Sequence, residues 1–124
     1  MKKRIVFLIL PLGLLITLLN SSCTNSKPEV VPPSCDTATV RLSVEIDAIL
    51  SSNCLGCHGG TASGGAGIQL ENYTTIRTLA LNGTLLSAIT HTGSATPMPF
   101  GGGKLSDCDI NKFRAWINRG AQNN

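Results

Sequence analysis

Residues 43–58 read SVEIDAILSSNCLGCH. The first part has helical spacing, with Ile46, Ile49 and Leu50 at i, i+3 and i+4, and with Ser43 available as N-cap ahead of acidic Glu45 and Asp47. The end changes character. Cys54-Leu55-Gly56-Cys57-His58 packs two thiols and an imidazole into little more than one helical turn, so all three project from one end of a short amphipathic helix.

Three chemistries use such a turn. A thioredoxin-like dithiol needs a βαβ framework, and no alternating run nearby suggests a strand. A zinc site would draw on Cys54, Cys57, His58 or His91, and Cys108, but these form only one close cysteine pair, with the other candidates scattered singly. The third chemistry is haem c attachment, whose pattern is Cys-x-x-Cys-His. There the two thiols bond the two vinyl groups of the porphyrin and the adjacent histidine ligates the iron. Haem c is attached after export, so this reading requires an exported chain.

The N-terminus meets that requirement. MKKR places three positive charges ahead of IVFLILPLGLLITLL, an apolar run interrupted by Pro11 and ending in the small polar residues of LNSSC. This is the order of a secretory signal over residues 1–22, and the run is shorter than the ~20 apolar residues of a spanning helix. LLNSSC further resembles a bacterial lipoprotein signal, in which Cys23 becomes lipid-modified and the first mature residue. Asn20 departs from that pattern, since leucine usually stands there and here is found one residue earlier, at Leu19. Several acyl chains at about 0.8 kcal/mol per buried methylene would hold the protein on a membrane.

After Cys23 comes TNSKPEVVPPS, polar and proline-rich, so residues 23–34 read as a tether; its eleven residues from Thr24 would span at most about 36 Å. The expected location is therefore outside the cytoplasm, periplasmic or at the cell surface, as a membrane-anchored lipoprotein. Removing Lys2, Lys3 and Arg4 with the signal leaves seven of the ten basic residues against seven acidic ones. The near-neutral remainder has no basic stripe, which argues against nucleic-acid binding.

Residues 35–124 form the expected domain. Beyond the first helix, YTTIRTLALNG places Ile76, Leu79 and Ala80 on one face with Gly83 closing the end, and TLLSAIT follows as a shorter helix. SDCDINKFRAWINRG is the strongest helical segment: Ser106 and Asp109 suggest a capping box, Ile110, Phe113 and Ile117 share a face beside Trp116, and Gly120 stops it. GGTASGGAG at 59–67 is too glycine-rich for a regular element and lacks the Gly-Lys-Ser/Thr ending of a phosphate-cradling loop. The fold class is all-α. Its aromatics after the signal are Tyr73, Phe100, Phe113 and Trp116, a thin core that needs covalent or cofactor support. With Cys23 lipidated and Cys54 and Cys57 in thioethers, Cys35 and Cys108 remain to pair as a disulfide in an oxidising compartment, if their separation in the fold permits it.

The order of these features resembles the small class I c-type cytochromes over nearly all of residues 43–124. A helix leads into CLGCH, GIQL at 67–70 stands where that family often has Gly-Pro-x-Leu, PMP supplies a loop methionine, and INKFRAWINRGA carries an aromatic on a C-terminal helix. The resemblance implies a bundle of three main helices plus short ones around one covalently bound haem c. It implies that Ile46, Ile49 and Leu50 face Phe113, Trp116 and Ile117 where the first and last helices cross. It also implies His58 as the proximal iron ligand. Ile68 departs from the family by replacing the proline whose carbonyl region receives the free ring N–H of that histidine, which puts this supporting contact in question.

Two residues compete for the sixth coordination position. Met98 lies forty residues past His58 and is bracketed by Pro97 and Pro99, which stiffen its loop. His91, just past TLLSAIT, is the stronger ligand type but sits where a histidine ordinarily ends a helix. Met98 is the preferred ligand, giving a membrane-tethered carrier of single electrons between redox proteins, not an enzyme. The alternatives are a haem enzyme or sensor with an open sixth site for peroxide or a small gas, and a zinc-stapled binding module on the cell surface.

Overall fold

The first helix starts at Leu42, one residue before the expected Ser43 cap, in a computed structural model that describes residues 34–124. The signal, Cys23 and all of the tether except Ser34 lie outside the described residues. The helix opens as a π-helical turn, Leu42–Ile46, and continues as α1, Asp47–Asn53. Its exposed amides are satisfied from a distance. Asn124, beyond the last helix, accepts the Leu42 N–H through Oδ1 and the Ser43 N–H through its main-chain oxygen, both at 2.9 Å. With its first donors taken in this way, the helix makes no use of the Ser43 hydroxyl as a cap.

Glu45 completes this end by accepting the Arg41 N–H at 2.8 Å. That bond, with the Arg41 and Lys112 charges assisting, holds the Glu45 carboxyl below its ordinary range. A depressed carboxyl stabilises the fold fully above its unfolded value, about pH 4.3, and loses that contribution as pH falls through the lowered folded value. Thermal midpoints of the wild type and Glu45→Ala are therefore expected to differ at neutral pH and to converge on the acid side.

After Cys54 the chain forms α2, Leu55–His58, then a 3₁₀ turn, Ser63–Gly65, followed by α3, Tyr73–Leu81, α4, Thr84–Thr90, and α5, Asp107–Asn118. No strand occurs among the described residues, and the fold is all-α. Asn72 caps α3 by accepting the Thr75 N–H, a role its position before YTTIR could have suggested. Ser106 caps α5 by accepting the Asp109 N–H at 3.1 Å, but only half of the expected capping box forms, because the Asp109 carboxylate accepts the Ser106 hydroxyl at 2.7 Å and not the Ser106 N–H.

Ile46, Ile49 and Leu50 share one core with Ile76 and Ala80 of α3, Leu85 and Ile89 of α4, and Ile110, Phe113 and Trp116 of α5. The α5 face is turned slightly from the expected one: Trp116 is buried and Ile117 packs half-buried at the margin. The chain beyond α5 explains this. It reverses at Gly120 (φ +90°), buries Ala121, and brings the Gln122 carbonyl to the Trp116 indole N–H at 2.8 Å. The Tyr73 hydroxyl likewise donates to the Ala121 carbonyl at 3.0 Å, so the polar ends of both aromatics are satisfied.

The segment before the first helix lies along α5. Cys35 and Cys108 are joined in a disulfide with Cα atoms 5.4 Å apart, and Arg119 donates to the carbonyls of Thr37 and Ala38 at 2.7 and 2.8 Å. These contacts and the Asn124 bonds tie the two ends of the domain together. No described helix is long and apolar enough to cross a membrane.

Candidate haem-attachment site

Cys54 stands at the junction of α1 and α2, with φ −124° breaking the regular helix. Its N–H still donates to Leu50 at 2.8 Å, and its carbonyl accepts from Cys57 and His58 at 3.1 and 2.9 Å. One tight turn therefore carries both thiols and the imidazole. Cys54 and Cys57 are the free cysteines among the described residues, Cys54 half-buried and Cys57 exposed. Burial pushes the Cys54 thiol above its ordinary value, keeping it protonated at neutral pH.

The glycine-rich stretch after α2 is where the sequence reading was least informative. It is not featureless: it folds around the imidazole. Ala62 and Ala66 take left-handed conformations on either side of the 3₁₀ turn, Ile68 N–H donates to the Gly65 carbonyl, and Leu70 N–H returns to the His58 carbonyl at 3.0 Å. Glu71 and Gln69 clamp the loop, one accepting the Gly60 N–H and the other donating to the Gly60 carbonyl, each at 2.8 Å. A Cβ on Gly65 would lie 2.3 Å from His58 Nδ1, so only glycine lets the backbone pass this close to the ring.

The outcome is a bond from His58 Nδ1 to the Ile68 carbonyl at 2.9 Å. A carbonyl only accepts, so Nδ1 carries the hydrogen and Nε2 keeps its lone pair. The replacement of proline by Ile68 does not remove this contact, because the acceptor belongs to the main chain.

Met98 lies in the loop after α4 and is held against the last turn of that helix. Its N–H donates to the Ala88 carbonyl at 3.0 Å, and its carbonyl meets His91 Nε2 at 3.0 Å. Ser87 ties down the intervening loop, its hydroxyl donating to Thr92 O and accepting the Ala95 N–H. His91 thus spends Nε2 on the main chain of the residue it was expected to rival. Sequence alone missed this contact, since nothing in the spacing of the two residues predicts it.

The zinc tetrad is not assembled. Cys108 is consumed by Cys35, His91 is turned to Met98, and among the described residues no three His, Cys, Asp or Glu side chains are grouped to hold a metal ion. What is assembled fits haem c: two free thiols at thioether spacing, and beside them an imidazole whose outward nitrogen alone is available.

Comparison with curated proteins and with solved structures returned no significant match. A protein-family model described as cytochrome c oxidase, cbb3-type, subunit III matches residues 44–117, more than half of the chain and every element from the first helix to the end of α5 but its margins. With helices and no strand among the described residues on one side and this match on the other, the chain belongs to that family of haem-bearing c-type cytochrome domains.

Proposed function

We propose that this protein is a membrane-tethered monohaem cytochrome that carries single electrons between redox proteins outside the cytoplasm. Cys54 and Cys57 would hold the porphyrin through thioethers, His58 and Met98 would hold its iron, and Cys23 would bear the lipid. The observation that carries the reading is the His58 Nδ1–Ile68 contact behind a turn bearing two free thiols. It orients the ring, selects the tautomer that leaves Nε2 free, and makes that nitrogen a better donor.

When bound, the haem supplies a one-electron couple, set higher by a histidine–methionine pair than by two histidines. The chain's part is to keep its ligands in place. Gly65 admits the loop that braces His58, and the end of α4 braces Met98. Support for the tether comes from the signal, the Cys23 context and the proline-rich segment after it. A tether of that length confines the domain near the membrane surface and raises its encounter rate with other membrane-bound redox proteins.

The test is spectroscopic. Protein purified from membranes with detergent and extracted with acidified acetone is expected to keep its colour, and in alkaline pyridine with dithionite to give the spectrum of doubly thioether-linked haem at one haem per chain. Colourless protein, or haem released into the acetone, would sink the proposal.

A further inference from the structure

We infer that His91 is a positioning residue for Met98, acting on it through the main chain; this rests on the reading of Met98 as an axial ligand. His91 follows the last residue of α4 with φ +57° and ψ +36°. That left-handed conformation is disfavoured for a residue with a Cβ and free for glycine. His91 keeps a side chain there, and that side chain donates Nε2–H to the Met98 carbonyl at 3.0 Å.

The Ala88 carbonyl completes the arrangement by accepting both the His91 N–H at 3.3 Å and the Met98 N–H at 3.0 Å. Both main-chain polar groups of Met98 are thereby fixed to one helical turn. His91 and Met98 are half-buried, while most of the loop between them is exposed. A thioether is a weak iron ligand, so its retention depends on how little freedom its backbone has. Removing the imidazole frees one of the two anchors and lets the loop swing away, and an added ligand then competes more easily for the iron.

The test uses full-length, haem-loaded ferric protein and added imidazole as the competing ligand. His91→Gly relieves the backbone and deletes the donor, while His91→Phe keeps the ring bulk and deletes only the donor. Both are expected to retain helical circular dichroism, to weaken the near-infrared sulfur-to-iron band, and to bind imidazole about tenfold more tightly than the wild type. A purely structural histidine predicts the opposite for His91→Gly, with unchanged band and unchanged imidazole affinity; that result in either folded variant overturns the inference. Met98→Ala separates the two readings. If it abolishes the band while the His91 variants match the wild type, the positioning role alone is wrong; if it leaves the band intact, the Met98 assignment and this inference fall together.

Discussion

Gly65→Ala is expected to reduce the yield of haem-loaded protein sharply and to destabilise what remains by about 3 kcal/mol, an overpacking cost combined with a lost hydrogen bond. The added methyl group would meet His58 Nδ1 at 2.3 Å, His58 Cε1 at 2.7 Å and the Cys57 carbonyl at 2.8 Å. The carbonyl is part of the attachment turn and has little room to retreat, so the imidazole or the loop has to give way. Either movement breaks the bond to Ile68 and with it the orientation of Nε2. Haem content per polypeptide and a denaturation midpoint measure both effects. Gly64→Ala is the control, because its Cβ would stand 3.6 Å from Cys57 Cα and Cβ, an ordinary contact, and this variant should load haem as the wild type does. Equal behaviour of the two variants would show that the ring is not packed against Gly65.

Removal of the Cys35–Cys108 bridge should produce the other large effect. The cysteines are 73 residues apart in sequence, and a loop of that length contributes about 4 kcal/mol in the chain-entropy account. For a domain of this size that is a large share of total stability, which is typically about 5–15 kcal/mol. The double variant Cys35→Ala, Cys108→Ala is expected to unfold at lower guanidinium concentration than the wild type, with its haem spectrum intact. With ascorbate holding the haem ferrous in every sample, a thiol reductant should shift the wild type to the variant's midpoint and leave the variant unmoved, because thioethers resist reduction whereas disulfides do not. A wild-type midpoint indifferent to reductant would refute the bridge's contribution. The double variant is the appropriate comparison, since a single substitution leaves one reactive thiol behind.

The two effects differ in how visible they are in the sequence. Cys35 and Cys108 could be paired by counting, once the attachment motif and the lipidation reading had claimed the other three cysteines. Gly65 could not be singled out from its neighbours in GGTASGGAG, because the need for glycine there comes from a ring that the chain brings against it only after folding. Ser43 shows the reverse error. A serine ahead of acidic residues is a sound local cap signal, yet Asn124 satisfies the amides from a residue remote in sequence. The α5 face shows a smaller one, where the return of the chain over Trp116 draws the indole inward and leaves Ile117 at the margin.

The sequence by itself determined the all-α class, the span of most helices and the attachment turn, because helical periodicity, caps and the Cys54–His58 spacing are local properties of a few neighbouring residues. Tertiary structure decided what supports the proposed ligands. The Ile68 carbonyl reaches His58, Gly65 makes room for it, and His91 binds the carbonyl of Met98 in place of a metal. These are contacts between a side chain and a main chain brought together by loops, and a carbonyl is the same group whatever residue bears it, so no residue type in the sequence announces where it will be used.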